Sequence, residues 1–551
     1  MNQHQTPNIN FRFLSYTVVI SAILASSSNA FAIGYSGGIR SISKFVNRSP
    51  DATVSNFLET ASPLLSSGQM CRRIVKNPFA MTSDAKYACA LEKDLATDSE
   101  KKILIQAWAG TSWPDKMGSI AENYSDRHVH SVISRIWGWK ANKGKIVDED
   151  RQATLRTIVK KGQSNIALTE EEKTVLDHSS PAEKYDLIAG DQTFGFSKAV
   201  VRMVDFLNEH HRVANWSGVC HGWGPASTAL PRPGHSFVVR SNLGIDVPVY
   251  PDDIKALTSF LWGKSSIQNQ LPIRGNRCDK KNSGLRMRTE TGRLDPDGRS
   301  VGPCFDPNPA EMHLAVVNQI GLNGRGMLMD IDVGAPVFNQ PVFAYSMEFF
   351  NPATHSSTKD PQHAIADARD VKEYSHYRSP KAKSIVGVTM TLTYQKEVDP
   401  DHEVLDSESR DKVAKMKTQY LLELSDSGEI IGGEWWMYAM PYEQPDFIWL
   451  VPDGMIATSD VDESQLSLWN GVGSSPSDWL AAATLADAQV KDDLYPSGGD
   501  EGGEMVVIQG VPNPQPLAKI VYSLLRISRK GMPLQGFDVE TVYQFDKTGS
   551  L

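Results

Sequence analysis

The 551-residue chain is poor in cysteine, with five: Cys71, Cys89, Cys220, Cys278 and Cys304. An odd number cannot all pair within one chain, so at least one thiol is left over. Long apolar runs are missing too. The most apolar stretch, residues 18–25, is interrupted by Ser21 and falls well short of the roughly 18 residues a membrane span needs. There is no glycine-rich phosphate loop and no repeat of fixed period, which removes the common nucleotide-binding and solenoid readings. Positive charge is in deficit, with 56 Lys and Arg against 65 Asp and Glu, a net charge of −9. That balance argues against nucleic acid and anionic membranes as partners. What remains is ordinary globular composition, 40% hydrophobic and 22% charged. It excludes disordered, collagen-like and coiled-coil chains, and at roughly 150 residues per domain it allows two or three domains.

Arg12 precedes a largely apolar stretch, residues 13–25, which is followed by Ser-Ser-Ser-Asn-Ala30-Phe31-Ala32. This reads as a secretory signal peptide over residues 1–32 with an A-x-A cleavage site, and the expected localisation is extracellular or periplasmic. The rest divides into an N-terminal region (33–165), a catalytic region (166–460) and a C-terminal extension (461–551). Helices dominate before Cys220 and strands after it, an α+β pattern. A helical run over residues 196–210 leads towards Cys220, and Pro251-Asp252-Asp253 opens an apolar-periodic helix. Residues 386–394 alternate apolar and polar side chains as a half-buried strand does. Residues 420–424 and 429–431 flank the turn Ser425-Asp426-Ser427-Gly428 as a hairpin. Residues 495–503 read as a Gly/acid linker. Leu517, Ile520, Val521, Leu524 and Leu525 form the apolar stripe of a closing helix.

The segment around Cys220, Trp216-Ser217-Gly218-Val219-Cys220-His221-Gly222-Trp223, passes from polar to apolar, which suggests a thiol at a helix N-terminus, where the dipole lowers its pKa. A disulfide-bonded cysteine is the competing reading. Cys71 and Cys89 are 18 residues apart, and Cys278 and Cys304 are 26 apart. Two local bridges would leave Cys220 alone, although spacing does not fix connectivity. A thiol nucleophile needs a base, and the base needs an orienting acid. His221 would point about 100° away from Cys220 on a helix. His313 sits in Met-His-Leu-Ala-Val-Val-Asn-Gln-Ile, residues 312–320, which reads as a strand. Asp330 and Asp332 share a side-chain parity on the next strand, so either could face His313. Two weaker metal candidates are Asp126-Arg127-His128-Val129-His130, whose histidines could serve zinc, and Asp295-Pro296-Asp297-Gly298, which resembles the start of a calcium loop.

The segment 216–223 resembles the W-x-G-x-C-N-G-W nucleophile motif of the secreted transglutaminase elicitor family of oomycetes and their bacterial relatives. Residues 337–342, VFNQPV, resemble that family's V-W-N-Q-P-V elicitor peptide, with Phe338 in place of Trp and Phe343 where the peptide continues with Arg. IIGGEW at 430–435 and PDFIW at 445–449 match two further motifs in the same order. The resemblance implies a calcium-dependent protein-glutamine γ-glutamyltransferase with a papain-like core, its sheet carrying the His and Asp. It assigns Cys220 as nucleophile, His313 as base and Asp330 as orienter, with Asp332 as alternate. His221 departs from the family's Asn. The Cys220 N–H would donate to the oxyanion, and the Trp216 indole is a candidate second donor. The implied partners are proteins bearing Gln and Lys; a cysteine protease, a deamidase or an elicitor with an idle triad are the alternatives. No calcium-ligand motif transfers, so Asp295 and Asp297 remain the candidates here.

Overall fold

The computed structural model describes residues 101–102, 107–124, 149–209, 216–269, 271, 273–275, 307–331, 336–373, 375, 378–436, 444–451, 455–496 and 505–530. Residues 1–32, Cys71, Cys89, Cys278, Cys304, Asp332, Asp295, Asp297 and the 126–130 histidine segment lie outside them.

Local signals place the helices. Helices α1 (Glu149–Gln163) and α2 (Glu170–Asp177) come first. Helix α3 (Pro181–Ala189) starts at a capping box: Ser180 Oγ accepts the Glu183 N–H, and the Glu183 carboxylate accepts the Ser180 N–H. It stops at Gly190, whose φ of 91° suits only a residue without a Cβ. Helix α4 (Gly195–Glu209) follows as expected from the periodic run, then α5 (Cys220–Ala229) and α6 (Pro251–Lys264). Helix α6 is buried along its whole length. Its charged side chains are therefore paired, Asp253 with Lys184 at 2.8 Å and Lys255 with Asp406 at 2.8 Å, as burial demands. Phe237–Arg240 (β1) and Asp246–Val249 (β2) pair antiparallel beside these helices.

The main sheet is antiparallel throughout. Its strands are β3 (Ile273–Gly275), β4 (Met327–Asp330), β5 (Asn339–Phe350), β6 (Ser384–Gln395), β7 (Val413–Leu424), β8 (Ile430–Trp435) and β9 (Phe447–Trp449), in the order β8-β7-β6-β5-β4-β9-β3. The alternating segment is thus strand β6, and the hairpin turns at Gly428 with φ 79°. Strand β6 is buried on both faces rather than half-buried: Val386, Val388, Met390 and Leu392 join one apolar layer, while Gly387 packs under the Phe350 ring on the other.

His313 is not on a strand. It lies on α7 (Pro309–Val316), which runs into a π-helical turn over Val317–Leu322. Asn308 caps this helix by accepting the Ala310 N–H at 2.9 Å, and Pro309 fills its first position. Those two residues outweigh the β-branched run that follows.

The last segments belong to the main core. Helices α8 (Trp479–Asp487) and α9 (Ala518–Ser528) bring Trp479, Leu517, Ile520 and Leu524 into one apolar cluster with α3, α4 and α6, so position 460 does not divide the core. Tyr495 and Pro496 are strand rather than linker residues: β10 (Val490–Pro496) pairs with β11 (Met505–Pro512). Among the described residues no helix is long and apolar enough to cross a membrane.

Candidate active site

Cys220 opens helix α5, which lies between α6 and the sheet. Small residues permit that approach. A Cβ on Gly222 would stand 1.9 Å from Ser259 O on α6, and one on Gly224 would stand 2.3 Å from a Leu328 methyl on β4. The turn before Cys220 rests on residues 107–118. Val219 donates its N–H to Ser112 O, Asp115 donates its N–H to Ser217 O, and the Trp223 indole donates to Trp108 O.

The sulfur meets the start of β5. Cys220 S–H donates to Val337 O, and Asn339 Nδ2 donates to Sγ, both at 3.7 Å. Asp330 pairs with Asn339 across the β4/β5 ladder, and its Oδ1 accepts the Phe338 N–H at 2.9 Å. Trp216 packs against the apolar cluster holding Val337 and Leu328. Glu397, just past the end of β6, accepts the Ser112 hydroxyl at 2.9 Å. The chain after it is tied down by Arg410 to Asp252 and by Arg232 to Asp411.

The thiol is not acidified as its helix position suggested. Burial, then the negative charges of Glu397 and Asp330, push it up to about 12 against the Asn339 hydrogen bonds, which lower it. Burial outweighs a helix terminus because the dipole offers only about half a charge.

The structure brings Cys220, Asp330, Asn339, Glu397 and Trp216 together. It does not bring His313 to them. Met327 and Met329 face the α7 layer, whereas Leu328 and Asp330 alternate to the α5 side. His313 shares the α7 layer with Tyr420, its Nδ1 hydrogen-bonded to the phenol at 2.8 Å. The sheet therefore stands between His313 and Cys220, and the expected arrangement of a sheet-borne His facing Asp330 is corrected. Burial alone lowers the His313 pKa to about 3. His221 does point away, its Nε2 at 3.2 Å from Gly263 O on α6, and among the described residues no histidine contacts the thiol. Glu397 and Asn339 had no role in the sequence reading. The available signal for Glu397 was an acid directly after the alternating strand.

Calcium takes six to eight oxygen ligands. Among the described residues two groups could hold a cation, Asp177 with His178 and His402, and Asp186 with Asp191 and Asp487. The second is all oxygen and fits such an ion better.

Residues 197–471 match the family described as transglutaminase elicitor. The chain belongs to that family, and it is a transglutaminase-like protein built of helices and an antiparallel sheet. The crystal structure of the GP42 transglutaminase from Phytophthora sojae is similar to it at 21% identity, covering 73% of this chain and 94% of that one, with a TM-score of 0.44. No curated protein matches.

Proposed function

We propose that the chain is a secreted protein-glutamine γ-glutamyltransferase whose nucleophile is Cys220. One observation carries this reading. The segments resembling the family's nucleophile and elicitor motifs meet at the Cys220 sulfur, through Val337 O and Asn339 Nδ2. A papain-like layout is supported by a nucleophile that opens a helix laid on an antiparallel sheet carrying an acid. With the thiol only 5% exposed, a glutamine side chain reaches it once the Val337 segment moves aside.

In this reading the sulfur attacks the γ-carboxamide carbon, and the thiol proton is held by Asp330 or Glu397, the carboxylates whose charge reaches it. The C–N bond then breaks, that proton leaves on ammonia, and a γ-glutamyl thioester remains. A lysine amine attacks the thioester, the C–S bond breaks, and the surplus amine proton restores the thiol. Water in place of the amine gives glutamate. In this proposal the N–H groups of the first turn of α5 and the Asn339 amide donate to the oxyanion, with the Trp216 indole as a further candidate. Calcium, bridges between Cys71 and Cys89 and between Cys278 and Cys304, and export belong to the same proposal. A bound calcium ion would supply fixed positive charge.

A display role for residues 337–342 is less well supported, because Val337, Asn339, Gln340 and Val342 are buried. Incubation with casein, calcium and a labelled primary amine tests the reading. Incorporation by the wild type and its loss in Cys220→Ala are expected. Peptide-bond cleavage without incorporation, or incorporation unchanged by Cys220→Ala, overturns it.

A further inference from the structure

Outside the Cys220 site, two carboxylates close in the chain, Asp186 and Asp191, meet the distant Asp487. Asp186 is on α3, Asp191 is in the turn after it, and Asp487 ends α8. One oxygen from each lies within 4.8 Å of the other two, and the three residues are 1%, 7% and 8% exposed. Two of them are held in place by the backbone. Asp186 accepts the N–H groups of Phe196 and Ser197 at 2.9 and 3.0 Å, and Asp191 accepts those of Thr193 and Gly195 at 2.7 and 2.6 Å.

Asp487 is different. Its Oδ1 is buried and has no hydrogen-bond partner, which is costly for a polar atom unless something else satisfies it. Its Oδ2 stands beside Asp191 Oδ2 over Gly195, where a Cβ would be 2.9 and 2.8 Å from the two oxygens. A side chain at 195 would fill that space, and glycine leaves it open.

We propose that Asp186, Asp191 and Asp487 hold a hard divalent cation of the calcium class. The donors are all oxygen, which selects calcium or magnesium over zinc or copper. Three buried carboxylates so close together repel one another. A cation relieves that repulsion and gives Asp487 Oδ1 the partner it lacks. Water would complete the shell. The ion clamps the C-terminal end of α8 onto the start of α4, joining the chain after residue 461 to the helices that lead to Cys220. This inference deepens the calcium part of the proposed function, and its test reads ion binding apart from acyl transfer.

The test uses the full mature chain, stripped with EDTA and then titrated with calcium chloride or magnesium chloride alone by calorimetry, with thermal melting in parallel. Wild type is expected to bind and to melt higher with the ion, as any ligand of the native state requires. Asp487→Asn is expected to lose one equivalent of binding and the associated melting shift while melting no lower than wild type in EDTA, since it removes one of three repelling charges. Gly195→Ala keeps all three carboxylates and is expected to weaken binding ~10-fold or more, by crowding the ion's oxygens. If wild type binds neither ion, or if Asp487→Asn binds with unchanged stoichiometry and melting shift, the site does not exist and the cluster is neutralised by shared protons.

Discussion

Glu397→Gln separates two consequences of one charge. The Cys220 thiol stands at about 12 against an ordinary 9.0, with burial the largest cause and Glu397 the next. At an effective dielectric near 20, a unit charge at the ~4–6 Å over which charges usually shift a pKa is worth about 3–4 kcal/mol, which caps its effect at roughly two to three pKa units. Burial takes the larger share, so about one unit is the expected fall. Glutamine keeps an acceptor for the Ser112 hydroxyl, so the loop stays in place and only the charge goes. Removing an anion favours the thiolate. At any pH below about 11 the variant then carries about tenfold more thiolate, and iodoacetamide labels Cys220 about tenfold faster, followed peptide by peptide by mass spectrometry. Amine incorporation into casein is expected to fall in the same variant, because a carboxylate that holds the thiol proton is gone. Faster alkylation with slower transfer is the signature. Alkylation unchanged or slowed, at unchanged melting temperature, refutes the claim that Glu397 bears on the thiol.

Asp330→Asn is expected to cut amine incorporation by about 100-fold, within the span of one general acid–base group; His313→Gln, across the sheet, should leave it within a few fold while lowering the melting temperature, and equal losses in both would restore the histidine. Gly222→Ala places a methyl 1.9 Å from Ser259 O, and chemical denaturation should show a loss of about 3 kcal/mol or more, since neither helix backbone can yield cheaply. His313 is neutral when folded, with a pKa of about 3 against an ordinary 6.5. The unfolded chain therefore takes up a proton that the folded one refuses, and this contribution to stability is whole above about pH 6.5 and drains away as pH falls towards 3. Urea midpoints measured across that window should drop less steeply for His313→Gln than for wild type.

The parts of this fold that were legible in the sequence are those with local causes. The periodic run over 196–210, Pro251 with Asp253, and the alternation over 386–394 each act over a short stretch of chain, and each marks an element that the structure contains. The segment at 312–320 was misread because its β-branched residues suit a strand, while the cap that decides the matter, Asn308 with Pro309, lies before it. Thiol acidity could not be read at all. The helix terminus beside Cys220 is local, but Val337, Asn339, Glu397 and Asp330, which surround the sulfur, come from segments more than a hundred residues away. The Asp186, Asp191 and Asp487 cluster has the same character, since only the packing of α8 against α4 brings its third member in.

Alternation along β4 puts Asp330 on the Cys220 side of the sheet and leaves His313 on the other. Met329 and Asp330 are neighbours on one strand and point to opposite faces, Met329 into the layer of His313 and Tyr420, Asp330 towards Asn339 and the sulfur. No rotamer of His313 crosses a paired sheet, and shifting the strand by one residue would turn Asp330 away along with Leu328. Among the described residues, Asp330 and Glu397 are the carboxylates whose charge reaches the Cys220 thiol, and the proposed reaction is expected to follow carboxylates and a thiol, rather than the imidazole of His313, in its pH dependence.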